Sequence, residues 1–223
     1  MLRLVAFDMD GTLVDVGSSF AVVHAHFGEQ NDDGLRRFLA NEIDDVEFIR
    51  SDIRIWRRHR PDLRVDELEE ILATAPLMPG AQTLIEGLHA QGVRTAIVSG
   101  GIDLLARRVG RDLGIDIVLA NGFRVDADGR LTGEGIIRVP VLRKEEVLAR
   151  LQSQLGIDPS ETASVGNSEI DVGLFRRSRV GVAFRPEDDA VRRAANAVVP
   201  GSDLTPVLEV LREFPATPPP RGG

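Results

Sequence analysis

The residues best placed to do chemistry begin at Asp8. The run Val5-Ala6-Phe7-Asp8-Met9-Asp10-Gly11-Thr12-Leu13-Val14 carries two carboxylates, two positions apart, out of an apolar segment into a Gly-Thr turn. Desolvated carboxylates are costly unless compensated. The pair therefore calls for a cation, and a hard divalent ion such as Mg²⁺ suits oxygen ligands in a chain without thiols. The bland reading is a polar strand–loop junction. Three later segments add to the first. Ile97-Val98-Ser99-Gly100-Gly101 ends an apolar run in a hydroxyl and open main chain, where N–H groups can receive an anion, although by itself it is an ordinary turn. Lys144 precedes the helical pattern Val147, Leu148, Leu151. A cation is disfavoured at a helix start unless an anion lies nearby. Last comes Val165-Gly166-Asn167-Ser168-Glu169-Ile170-Asp171, whose Asp171 could join a metal site and whose Asn-Ser-Glu could equally cap the next helix.

These segments need elements to position them. Short continuous apolar runs at Leu2–Phe7, Thr95–Val98, Ile115–Ala120, Thr162–Val165 and Val180–Phe184 predict buried parallel strands. Helical spacing of Ala81, Leu84, Ile85 and Leu88, of Leu105, Val109 and Leu113, and of Val147, Leu148, Leu151 and Leu155 lies between them. Alternation of this kind predicts a doubly wound α/β sheet with ligands at the carboxyl ends of its strands. From about Asp15 to Leu77 only helical periodicities occur, such as Val46, Ile49, Ile53 and Trp56, which predicts a helical insertion after the first strand. The turn Asp126-Ala127-Asp128-Gly129 predicts a β-hairpin between Phe123 and Gly133, projecting from the sheet edge. The division expected is a core of 1–14 and 78–214, a helical cap of 15–77 and a disordered proline-rich tail of 215–223.

Composition bounds the partners. The 223 residues carry a net charge of −8 and a pI near 5.1, which argues against a phosphate backbone or an anionic membrane as partner. Cysteine is absent, removing disulfides and thiolate chemistry and pointing to the cytoplasm. No run is long enough to span a bilayer, and the Leu2–Phe7 stretch is too short for a signal segment. Lys144 is the single lysine beside 26 arginines, which makes it a suspect for a specific role. His24 and His26, at i and i+2, fall on different helix faces and read as surface or cap residues rather than metal ligands.

Taken together and in this order, the four segments resemble the haloacid dehalogenase-like hydrolases, most of them Mg²⁺-dependent phosphatases, and within them the phosphoserine phosphatases. The resemblance covers nearly the whole chain and rests on Asp8-Met9-Asp10-Gly11-Thr12-Leu13-Val14, Val98-Ser99-Gly100-Gly101, the Ala120-Asn121 to Leu131-Thr132-Gly133 stretch and its spacing to Lys144. It implies a Rossmann-like core with a small cap after the first strand. It further implies Asp8 as a nucleophile forming an aspartyl-phosphate, Asp10 as general acid and then base, and Thr12, Ser99 and Gly100 as phosphate-binding groups. Lys144 neutralises charge. The same resemblance implies Mg²⁺ bound by Asp8, the Asp10 carbonyl and the 166–171 loop, with Asn167 and Asp171 as candidate ligands. The cap closes over a small phosphorylated metabolite.

Two departures stand out. Phosphoserine phosphatases commonly show Gly-Asp-Gly where this chain has Gly166-Asn167-Ser168, so a neutral amide replaces an anionic ligand, and Asp171 or Glu169 would take more of the load. The acid that reads the serine ammonium falls at about Gly17. Arg50 and Arg54, one helical turn apart, are the candidates for a substrate carboxylate, the alternative being two solvated surface arginines. Phosphoserine is the expected single substrate, with phosphoglycolate or a sugar phosphate as alternatives. A non-catalytic phosphometabolite-binding or scaffolding protein is the rival class. Asp10 speaks against dehalogenation, since a halide needs no acid.

Overall fold

Four consecutive buried apolar residues make β1 (Leu4–Phe7), and their side chains alternate as the pleat requires: Val5 and Phe7 enter one apolar cluster, Leu4 and Ala6 the other. The computed structural model of the chain describes residues 1–213, and the expected tail at 215–223 lies outside the described residues. After β1 come α1 (Ser19–His26), α2 (Asp32–Leu39), α3 (Asp45–His59) and α4 (Val65–Leu72), then α5 (Ala81–His89), β2 (Arg94–Ile102), α6 (Asp103–Leu113), β3 (Ile117–Val125) and β4 (Leu131–Ile136). The remainder is α7 (Lys144–Leu155), β5 (Thr162–Gly166), α8 (Val172–Arg176), β6 (Val180–Phe184), α9 (Asp189–Ala194), β7 (Ala197–Val199) and α10 (Thr205–Arg212).

The strands form one sheet in the order β4-β3-β2-β1-β5-β6-β7, antiparallel only between β3 and β4. Leu84, Leu105 and Val207 from α5, α6 and α10 fill the cluster on one face; Leu148, Leu174 and Val191 from α7, α8 and α9 fill the other. β1 is central, with Phe7 level with Ile97 of β2 and with Val165 of β5. The three segments that follow these residues therefore emerge side by side at the carboxyl edge.

Two expected strands are longer than their apolar runs. Thr95–Val98 continues through Ser-Gly-Gly to Ile102, with a register shift against β3 between Val98 and Ile102. The Ile117 strand runs on to Val125 because its distal half pairs with β4.

The cap is α1 to α4, inserted after the first strand, with Ser18, Asn31 and Asp44 side chains capping the first three helices. The hairpin does not project freely. Its turn is closed by Asp126 Oδ1, which accepts from the Asp128 and Arg130 amides at 2.9 Å each. Beyond that it clasps the cap: Val65 N donates to Gly129 O and Leu131 N to Leu63 O, both at 2.9 Å. Gly135 lets β4 lie directly on α3, because a Cβ there would stand 2.7 Å from Ile49 Cγ2. Gly135→Ala is expected to cost about 1–3 kcal/mol by overpacking this contact, read as a lowered denaturant midpoint.

Candidate active site

The nucleophile candidate is fixed by its neighbours before any side chain is considered. Asp8 N donates to Val165 O at 2.9 Å across the strand pair, and the chain then winds tightly, with Leu13 N donating to Met9 O at 2.9 Å. Gly11 sits at φ +72°, and a Cβ on it would come within 2.3 Å of Asn167 Nδ2. Only glycine lets the first loop and the loop after β5 approach this closely.

Lys144, the first residue of α7, is buried at 3% exposure with Nζ 2.8 Å from Asp8 Oδ1 and 2.8 Å from Asp171 Oδ1. These two carboxylates answer the objection to a cation at a helix start and hold the ammonium protonated, against the effect of its burial. Burial, reinforced by the charge of Asp171, pushes the Asp8 carboxyl up, while Lys144 pulls it down.

Asp171, expected as a metal ligand, does not line the cavity that Asp8 and Asp10 line, and both its oxygens carry protein partners. Oδ1 accepts from Lys144, and Oδ2 accepts from Asn167 N at 2.9 Å and Ser168 N at 3.2 Å. It positions the lysine and the loop instead.

Asp10 Oδ2 accepts from Ser19 N at 2.9 Å and from Ser19 Oγ at 2.8 Å, and Ser19 Oγ in turn accepts from Ile102 N at 3.0 Å. Burial pushes the Asp10 carboxyl up, opposed by the Ser19 bonds. Ser19 is a site residue the sequence reading passed over; its signal was its place at the start of a helix just after the Asp-x-Asp turn. Ser99 Oγ accepts from Gly101 N at 3.1 Å, which leaves its hydroxyl hydrogen free to donate. Gly100 O accepts from Asn121 Nδ2 at 3.0 Å, pinning this turn to the sheet.

Asp8, Asp10, Ser99, Gly100, Lys144 and Asn167 all line one cavity of about 1080 Å³ that reaches into the cap. Two expected groups are elsewhere. The Thr12 hydroxyl is fully buried, turned to Asn167 Oδ1 at 3.4 Å, and does not line the cavity. Arg50 and Arg54 line a separate cleft with Thr132, Gly133 and Glu134. Arg50 pairs with Glu47 at 2.6 Å and Glu134 at 3.1 Å, and Arg54 pairs with Glu47 at 3.1 Å, because that flank of α3 faces the hairpin. His24 and His26 both lie on α1 of the cap, His26 exposed and His24 buried and bonded to Asp52 and Trp56.

Asp10 Oδ1 is buried and has no hydrogen-bond partner, and Asp8 Oδ1 faces only the Lys144 ammonium. Among the described residues no three His, Cys, Asp or Glu side chains cluster to hold a metal alone. The cation that the resemblance implies would have Asp8, the Asp10 carbonyl and, in the loop after β5, the Asn167 amide oxygen to rest on. That oxygen is set by Asn167 Nδ2 donating to Glu187 Oε1 at 2.8 Å, another contact the sequence reading missed. This all-oxygen, incomplete set fits a Mg²⁺ ion that keeps several waters.

The haloacid dehalogenase-like hydrolase family model matches residues 5–176, and the chain belongs to that family. Among curated proteins it is 30% identical over 214 residues to the phosphoserine phosphatase of Idiomarina loihiensis, covering 94% of each chain. It is 29% identical to that of Wolinella succinogenes, covering 93% of this chain and 98% of the relative. A substrate-bound phosphoserine phosphatase structure superimposes with a TM-score of 0.80 at 23% identity, over 94% of this chain and 98% of that one. Within the family, the chain is a phosphoric monoester hydrolase of the phosphoserine phosphatase-like kind.

Lys144→Arg is expected to lower kcat/KM for p-nitrophenyl phosphate roughly 10²–10³-fold, nearly as much as Lys144→Ala. A planar fork cannot replace a compact ammonium wedged between two carboxylates.

Proposed function

We propose that the chain is a cytoplasmic, Mg²⁺-dependent phosphomonoesterase that works through an aspartyl-phosphate on Asp8 and acts on a small phosphorylated metabolite. Phosphoserine, which names the relatives, is the reference substrate of that class. The observation that carries the reading is that Asp8 and Asp10 line one cavity, Asp10 with an oxygen that has no hydrogen-bond partner, while Lys144, 2.8 Å from Asp8 Oδ1, neutralises the charge around Asp8.

In the first half-reaction an Asp8 oxygen bonds to phosphorus and the ester oxygen leaves, taking its proton from Asp10. In the second, Asp10 takes a proton from water, whose oxygen attacks phosphorus and releases Asp8. The raised Asp10 carboxyl is suited to holding that proton, and Ser19 aims it. Ser99 donates its hydroxyl to a phosphoryl oxygen. Lys144 holds Asp8 in line and offsets negative charge in the transition state. The divalent ion, when bound, screens the repulsion between Asp8 and the phosphate dianion.

The helical segment 15–77 serves as the cap over a core formed by 1–14 and 78–214. In support, α1 and α3 carry much of the cavity wall. No helix among the described residues is long and apolar enough to cross a membrane.

Asp8→Asn should reduce turnover by around 10⁶ with an unchanged circular dichroism spectrum; retention of more than a few per cent of the rate excludes the covalent route. The metal reading has its own test. The double change Asn167→Asp with Glu187→Gln returns a negative charge to position 167 and keeps the hydrogen bond. It should tighten Mg²⁺ about tenfold by calorimetry, since ligand charge sets affinity. Asn167→Asp alone should tighten it less, because the new carboxylate faces Glu187.

A further inference from the structure

Asp52 is a buried carboxylate that the hydrolytic steps leave unused. It occupies the inward stripe of α3 with Ile49, Ile53 and Trp56, is 2% exposed, and lines the cap side of the cavity that Asp8 lines from below. Its Oδ1 is satisfied by His24 Nε2 at 2.8 Å and Asn31 Nδ2 at 2.7 Å, whereas its Oδ2 accepts nothing.

The surrounding groups are committed. Trp56 Nε1 donates to His24 Nδ1 at 3.1 Å, which sets the ring as the neutral tautomer with its hydrogen on Nε2. Asn31 Oδ1 caps α2 by accepting from Gly34 N at 3.1 Å, so its amide is not free to turn. Among the described residues no lysine or arginine pairs with Asp52, and burial pushes its carboxyl up. An unpaired buried carboxylate is stabilised most by a positive charge brought to its open oxygen.

The rest of the cavity has the same character. Among the described residues its one cation is Lys144, already held by Asp8 and Asp171. Among the described residues no arginine lines it, in a chain with 26 of them. Glu29, Asp32 and Asp45 add negative charge to the cap side, beside an apolar wall of Phe20, Phe38 and Phe48. A ligand carboxylate would enter this space without a cationic partner beyond Lys144.

We propose, resting on the phosphatase reading above, that Asp52 with His24 and Asn31 forms the leaving-group subsite. It takes an ammonium, so that the substrate class is a small phosphate monoester bearing an ammonium and no carboxylate. Asp52 thus supplies from α3 the acid that is absent at Gly17, where a Cβ would meet nothing within 4 Å.

The test compares phosphoethanolamine, glycerol 1-phosphate, phosphoserine and phosphoglycolate. Binding is read by calorimetry on the Asp8→Asn chain and kcat/KM on the wild type, with p-nitrophenyl phosphate reporting the core. Phosphoethanolamine is expected to bind at least tenfold more tightly than glycerol 1-phosphate and about a hundredfold more tightly than phosphoglycolate, with phosphoserine between. Adding Asp52→Asn should shrink the first preference to under threefold. Turnover of p-nitrophenyl phosphate combined with equal or tighter binding of phosphoserine or phosphoglycolate overturns the subsite and keeps the phosphatase. So does a preference that survives Asp52→Asn. A tenfold preference for phosphoethanolamine that Asp52→Asn removes, without turnover of any ester, keeps the subsite and overturns the phosphatase.

Discussion

Lys144 stands between Asp8 and Asp171 with its ammonium 2.8 Å from each, almost wholly out of water. Two buried carboxylates around one ammonium is an arrangement that tolerates little displacement, because each charge has lost its hydration and relies on the others. The fold supplies the precision from backbone parts. β1 and β5 are hydrogen-bonded neighbours, so Asp8 and the Gly166-Asn167 loop leave the sheet together. Asp171 then uses its second oxygen to tie down the amides of Asn167 and Ser168, so the group that balances the lysine also shapes the proposed metal loop.

How much of this was legible in the sequence depended on whether a residue's meaning was local. Asp8, Asp10 and Lys144 stood out because two carboxylates end an apolar strand and the lysine is single, and the structure brings all three to one cavity. The central strands were legible as apolar runs. β4, whose Leu131–Ile136 includes two glycines and a glutamate, was recognised only through the turn before it. β7, three residues long, left no pattern to find.

Arg50 and Arg54 went astray for a definable reason. Periodicity shows that residues share a helix flank, not which neighbour that flank meets, and theirs meets Glu134 of the hairpin. Asp52 was overlooked although it interrupts the apolar stripe of Ile49, Ile53 and Trp56. Its partners His24 and Asn31 lie 28 and 21 residues away in sequence, on or beside other helices, and nothing local announces them. The proposed catalytic groups were thus readable from strand ends, while the proposed leaving-group subsite depended on how cap helices pack together.

The hairpin clasp bears on how the cap can move. The chain crosses between core and cap twice, and a cover attached only there could swing as a door. Here the β3–β4 tip adds a third attachment through two main-chain hydrogen bonds to the cap. Parting them costs about 1–3 kcal/mol net, enough to confine a detached state to roughly a tenth to a hundredth of molecules. Access of substrate then favours a rocking in which ribbon and cap travel together. β3 is itself zipped to β2, and the register shift in that pairing falls at Ser99-Gly100-Gly101. The compliant point of the linkage thus coincides with the turn proposed to bind phosphate, so a tilt of the cap is felt mechanically at the donors beneath it.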